Sequence, residues 1–235
     1  MESQEPEDRE KMAANREGGL LESERPALCP DPVALAAMLS DLRAPMASVK
    51  TIGNPWSVAS LRRDELRNSS VLAWFLNPKG DHGFGDLLLQ ELFSEVKKRT
   101  PSFPKTPSPA CFLTVEECPD GAQGNRVDIT IDDPGQYFLV IEVKIDAIEQ
   151  NKQVERYCDV ARARACDGRP WAVVFLTPQG KNSDTAGDQA AKVVPLAWST
   201  IASWLRTLSP VVCRDADKAA ARHLARTFAD HILEF

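Results

Sequence analysis

The segment "RVDITIDDPGQYFLVIEVKI", residues 126–145, constrains the fold more than any other part of the chain. Two apolar runs flank Asp-Asp-Pro-Gly, which is turn chemistry, so the segment reads as a β-hairpin. Side chains on a strand alternate between faces. Val127, Ile129 and Ile131 therefore share one face, and Asp128, Thr130 and Asp132 share the other. On the second run Leu139, Ile141, Val143 and Ile145 form an apolar face, with Glu142 and Lys144 opposite. Both apolar faces belong against one core, which puts Asp128 on the side of Glu142 and Lys144. Directly opposed residues share a face, so the paired numbers must sum to an even value for Asp128 to join Glu142. A two-residue loop at Pro134–Gly135 would pair Asp133 with Gln136 and turn Asp128 to the face of Ile141. The sequence thus predicts a three-residue loop or a bulge, with Gly135 or a neighbour absorbing the extra step.

Two carboxylates held close together repel unless a cation sits between them. Hard oxygen ligands with room for water suit Mg²⁺ or Mn²⁺. A lysine beside them can orient a water or stabilise charge developing on a phosphoryl group. Taken alone, the hairpin is better explained by a solvated sheet face carrying a weak Glu142–Lys144 ion pair.

The rest of the chain supplies context. Residues 1–31 hold nine acids and four bases, so they account for five of the six net negative charges and the remainder is close to neutral. That segment reads as a flexible acidic tail before a single domain over 32–235. Helices are expected over 32–43, 58–76, 84–99, 147–166, 199–208 and 216–235, and strands over 111–117, 126–132, 137–145, 171–177 and 192–198. Three sequential strands, then a helix, then further strands imply an α/β fold with a central mixed sheet and helices on both faces. The six cysteines show no C-x-x-C spacing, which excludes the common zinc and redox motifs. No apolar run reaches the roughly 18 residues that cross a membrane, and the first residues lack a secretory h-region, so a cytoplasmic, non-membrane protein is expected.

"RVDITI … FLVIEVKI" followed by "EQNKQVERY" resembles the PD-(D/E)xK nuclease superfamily, with Gln153 and Tyr157 matching the Q-x-x-x-Y motif of its RecB-type members. "DELRNSSVLAWFLNPKGDHGFGDLLLQELF" (64–93) resembles the first helix pair of the same branch, and "VVFLTPQG" its fourth strand. The resemblance implies a restriction-endonuclease-like core and metal-dependent phosphodiester hydrolysis, with DNA the foremost substrate and phage defence or restriction a fitting role. It makes Asp128 and Glu142 metal ligands, joined by the Val143 carbonyl and by Glu65, and it gives Lys144 the task of assisting the water or the transition state. Mg²⁺ is the implied cofactor, with Mn²⁺ able to substitute, and a homodimer is compatible with the resemblance.

Glu65 shares a helical face with Leu72 and Leu76, although an acid at a helix start is equally a capping residue. Gln153 and Tyr157 lie one turn apart and can point together toward the site, to orient it or to contact substrate. His82 reads as a structural residue of a Gly-rich loop, and His223 and His231 as surface residues. Arg156, Arg162, Arg164 and Arg169 form either a phosphate-contacting patch or a solvated helix face. Two other functions fit the same residues: a nuclease fold that binds nucleic acid or acts as a scaffold without cutting, and an RNA-cleaving toxin.

Overall fold

The computed structural model of this chain describes residues 53–117, 126–211 and 219–235. The expected acidic tail over 1–31 and helix over 32–43 lie outside the described residues. The chain begins with a short helix α1 (Pro55–Val58), followed by α2 (Glu65–Leu76) and α3 (Leu87–Arg99). The hairpin region follows as β1 (Phe112–Glu117), β2 (Val127–Asp133) and β3 (Tyr137–Val143). Helix α4 (Gln153–Arg164) leads to β4 (Trp171–Thr177) and β5 (Val193–Ala197), and α5 (Trp198–Val211) and α6 (Ala219–Ile232) complete the described fold.

The five strands form one sheet in the order β1-β2-β3-β4-β5. β1, β2 and β3 are antiparallel, and β3, β4 and β5 are parallel. This is the mixed α/β sheet expected from the sequence. Strand β3 sits in the middle and is buried along its whole length. Leu139, Ile141 and Val143 pack into a core shared with α2, α3, α5 and α6, while Phe138 and Val140 pack on the other face against Val154, Tyr157, Cys158 and Ala161 of α4. Helices cover both faces, so the charged side of the hairpin is not a solvated sheet face.

The β2–β3 register has the even parity expected from the sequence. Asp133 pairs with Tyr137 and Ile129 with Ile141, which leaves Pro134, Gly135 and Gln136 as a three-residue loop. Asp133 closes it: its side chain accepts from the Gly135 N–H at 2.9 Å and its carbonyl from the Gln136 N–H at 3.0 Å. Continuing this register brings Asp128 opposite Glu142. Val127 departs from the expected alternation and packs with the α4 side rather than with Ile129 and Ile131. The β2–β3 ladder stops at Ile129–Ile141, while β2 stays paired with β1 as far as Glu117–Val127, past Glu116 at φ 54°.

Three helix expectations change. The helix expected over 58–76 breaks, because Ser60 and Arg62 take positive φ and Asp64 caps a new helix by accepting from the Arg67 N–H at 3.0 Å. The helix expected over 147–166 starts only at Gln153, since Lys152 is left-handed at φ 54° and the backbone N–H groups before it are held by a side chain described below. His231 is buried rather than on the surface: it meets Asn68 Oδ1 at 3.2 Å and stacks on Phe228, where α6 packs over α2. His223 is half-buried. His82 is structural as expected. Its Nδ1 accepts from the Phe84 N–H, so its Nε2 carries the proton and donates to the Asn77 carbonyl at 2.9 Å.

The arginines divide by environment. Arg162 is exposed and paired with Asp159 along one helix face, whereas Arg169 is half-buried. Asp132 meets Arg169 at 2.9 Å and Arg164 at 3.4 Å, tying the hairpin that carries Asp128 to the end of α4. The side chains of Asp132 and Arg169 are 7% and 12% exposed, so removing the acid leaves a poorly solvated guanidinium with backbone carbonyls but without its counter-charge. We expect Asp132→Ala to destabilise the protein by about 3 kcal/mol, read as a lower urea midpoint at unchanged slope; an unchanged midpoint would refute this role.

Candidate active site

Strand β3 ends on Glu142 and Val143, and the chain leaves it at Lys144, whose N–H still bonds the Leu176 carbonyl of β4 at 2.8 Å. At this point the antiparallel ladder gives way to a side chain. Asp128 Oδ2 accepts from the Val143 N–H at 2.7 Å, taking the place of a backbone acceptor. Asp128 is thereby fixed at the edge of the site by the backbone of the strand that carries its partner.

Glu142 is 2% exposed. Its Oε1 accepts from Lys144 Nζ at 2.8 Å and from Gln153 Nε2 at 2.9 Å. Its Oε2 is buried with no donor. Burial is the main cause that pushes the Glu142 carboxyl up to about 8, with the neighbouring Asp128 carboxylate second, against the pull of Lys144. Asp128 is raised as well, chiefly by burial, while the Val143 N–H and Lys144 act the other way. Burial lowers Lys144, but Glu142, Glu65 and Asp128 together outweigh it and the net shift is upward. The two acids thus compete for one positive charge, and either a shared proton or a cation satisfies the orphaned oxygen.

Gln153 fixes the orientation of Glu142. Its Oε1 accepts from the Gln150 N–H at 3.0 Å, so its amide N–H groups face Glu142 and, at 3.0 Å, the Tyr157 hydroxyl. Tyr157 in turn donates to the Arg126 carbonyl at 3.0 Å, beside the start of β2. The expected i, i+4 pair does point inward together, and it bridges β3 to β2 through one continuous hydrogen-bond chain.

Glu65 lies in the first turn of α2, but Asp64 provides the cap there. The Glu65 side chain crosses to the loop after β3, where Oε1 accepts from the N–H groups of Ile145 (2.7 Å), Ala147 (3.1 Å) and Asp146 (3.2 Å). It is close enough to raise both Asp128 and Lys144 electrostatically. That oxygen is committed to the loop, so metal ligation by Glu65 would fall to Oε2. Among the described residues no group of three or more His, Cys, Asp or Glu side chains is placed to hold a metal. The donors that are present still fit Mg²⁺, an ion held through one or two carboxylates plus water and substrate phosphate. The unpartnered Oε2 of Glu142 is the feature that such an ion would satisfy.

A second group of residues supports the site and was not singled out from the sequence. Helix α4 begins without a capping side chain, because Lys152 occupies the cap position. Thr185, 31 residues away from Val154, supplies the cap instead: its Oγ1 accepts from the Val154 N–H at 3.1 Å and its carbonyl from the Glu155 N–H at 3.0 Å. Glu149 holds Thr185 in turn, accepting from the Thr185 hydroxyl (2.8 Å), the Ser183 hydroxyl (2.7 Å) and the N–H groups of Asp184 and Thr185. The visible signal was negative: a helix start lacking Ser, Thr, Asp or Asn at the position before Gln153 needs an acceptor from elsewhere.

Two outcomes follow from this geometry. A raised Glu142 pKa means the folded state holds that proton more tightly than the unfolded one. Its contribution to stability is full below the ordinary value of 4.5, declines as pH rises, and is gone above about 8. Without divalent ions, wild type should therefore lose stability relative to Glu142→Gln between those limits; parallel stability–pH curves would contradict it. Thr185→Val should destabilise the fold by about 1 kcal/mol through loss of the cap, and hydrogen exchange should locate the loosening in the first turn of α4.

Residues 54–229, from just before α1 to within α6, match the model of the PD-(D/E)XK nuclease superfamily. No curated protein and no solved structure matches the chain significantly. Among the described residues no helix is long and apolar enough to cross a membrane. The match spans the hairpin, α4 and all five strands, and the chain belongs to the PD-(D/E)XK nuclease superfamily.

Proposed function

We infer that this chain is a metal-dependent nuclease hydrolysing phosphodiester bonds, with DNA the foremost substrate and restriction or phage defence the role that best suits it. The observation carrying this reading is the buried Glu142 beside half-buried Asp128, with Lys144 at 2.8 Å from Glu142 and one Glu142 oxygen lacking any donor. The family is generally made of nucleases acting on nucleic acid with divalent metals. Asp128 and Glu142 would hold Mg²⁺, or Mn²⁺ in its place, with the Val143 carbonyl and Glu65 Oε2 as further donors. The bound ion would supply the positive charge that polarises a phosphodiester oxygen.

The chain's own groups do the positioning. Lys144 is held against Glu142, so its ammonium is available to orient a water and to offset charge developing on the phosphorus oxygens. Gln153 keeps Glu142 from rotating away, and Tyr157 anchors Gln153. Asp128, bonded by the Val143 N–H, presents its remaining oxygen. A second reading, a nuclease fold that binds nucleic acid without cutting it, draws on one observation: Glu65 Oε1 is occupied by three backbone N–H groups, which leaves the carboxylate set small.

Single-stranded, duplex and branched DNA and matched RNA, incubated with Mg²⁺ or Mn²⁺, test these readings together. Wild type should cleave. Lys144→Ala should lose on the order of 100-fold or more in rate, and Asp128→Ala should fall to background with folding intact. Mg²⁺ should also raise the melting temperature of wild type more at about pH 9 than at about pH 6, because binding displaces the Glu142 proton. Equal cleavage by wild type and variants would sink the assignment. Binding without cleavage would favour the second reading, and preference for RNA would redirect it to the toxin class.

A further inference from the structure

The loop that joins β3 to α4 is tied down at both ends. At one end Glu65 accepts the N–H groups of Ile145, Asp146 and Ala147, and Arg63 pairs with Asp146 at 2.7 Å. At the other end Glu149 is clamped to Ser183, Asp184 and Thr185, and Gln150 is bonded through its N–H to Gln153. Between these anchors stands Ile148, 89% exposed. A mobile loop could fold such a side chain back onto the protein. This one is held by two carboxylates in a shape that keeps it out in water.

Ile148 lies four residues from Lys144, so their Cα atoms are at most about 14 Å apart. Stacked nucleotides advance about 3.4 Å per step along a strand. Ile148 therefore falls within about four nucleotides of a phosphate placed at Lys144. Residues 144–156 hold three bases (Lys144, Lys152, Arg156) and three acids (Asp146, Glu149, Glu155); Asp146 is paired with Arg63, and the largely exposed Lys152 lies 3.6 Å from Glu155. Acids and bases balance along this segment, so its charge does not repel a strand with an anionic backbone.

We propose that the braced loop presents Ile148 as an apolar wedge that packs against a nucleobase of the substrate, next to the cleaved bond, and unstacks the adjoining step. The proposal rests on the nuclease reading above. Apolar side chains inserted at base steps act in this way on bent or opened DNA. Rigidity is what makes the wedge effective, because a loop already held in place loses little freedom on binding.

The test uses full-length wild type, Ile148→Ala and Ile148→Leu on DNA carrying 2-aminopurine at each of the four positions on either side of the cut. Stopped-flow fluorescence and cleavage are followed together in Mg²⁺. Exposure of Ile148 predicts unchanged thermal unfolding in both variants. The wedge predicts a fluorescence rise at one position for wild type and Ile148→Leu, its loss in Ile148→Ala, and a drop of on the order of tenfold in kcat/KM for Ile148→Ala. Wild-type cleavage with no difference in Ile148→Ala would overturn the wedge and leave the nuclease standing. A wild type that neither cleaves nor binds nucleic acid would overturn both. A dimer in sedimentation that Ile148→Ala converts to monomer, with fluorescence unaltered, would make the loop a contact between copies and overturn the wedge.

Discussion

A glutamic acid almost wholly removed from water, set beside an aspartate and a lysine, is an unfavourable arrangement for a fold that gains nothing else from it. Glu142 has one oxygen engaged by Lys144 and Gln153 and the other without a donor. Hydrophobic residues of similar volume would fill the end of β3 at lower cost. Much of the surrounding structure can be read as what is needed to keep this group in place. The ladder between β2 and β3 is interrupted so that Asp128 can bond the Val143 N–H, and α4 is positioned so that Gln153 reaches Glu142.

Each of those positions depends on a side chain from another part of the chain. Helix α4 lacks a cap of its own and receives one from Thr185, which Glu149 holds. The loop between Lys144 and α4 is shaped by Glu65 from α2. The far end of α4 and the hairpin turn are joined through Arg169, Asp132 and the Asp133 carbonyl. The site is thus assembled where α2, the hairpin and α4 meet, and carboxylates outside the acid pair act mainly as acceptors for backbone N–H groups.

How much of this the sequence disclosed follows from the range of the interactions involved. Strand alternation and pairing parity are local rules, so the shared face of Asp128 and Glu142 and the three-residue loop could be read from residues 126–145. The Gln153–Tyr157 pairing follows from helical spacing. The start of α4 could not be placed, because it is decided by Thr185 and by Glu65, both far away in sequence. His231 failed for a related reason: its buried partner Asn68 lies 163 positions away. Glu65 was legible as an inward acid, but not as the acceptor of three loop N–H groups, since nothing in an isolated helix says where a long side chain will end. Val127 shows the opposite limit, a local alternation rule that fails beside a distortion, Glu116 at φ 54° on the paired strand.

The same distinction separates the two ways in which the site handles charge. A proton shared by the acid pair would satisfy the unpartnered Glu142 oxygen when no cation is present. A divalent ion would replace that proton and require both carboxylates ionised, a state that burial and mutual repulsion disfavour. Lys144 lies between these limits, because it stabilises the ionised pair without neutralising it fully. Had Lys144 been a second glutamine, Glu142 would keep its proton to still higher pH and compete more strongly against a metal. Had Asp128 been apolar, the Val143 N–H would lose its acceptor and Glu142 its neighbouring carboxylate. The position of the lysine two residues after the glutamate therefore follows from electrostatics as well as from chemistry: the strand period places it on the same face, close enough to tip a buried acid toward the charged form that a cation needs.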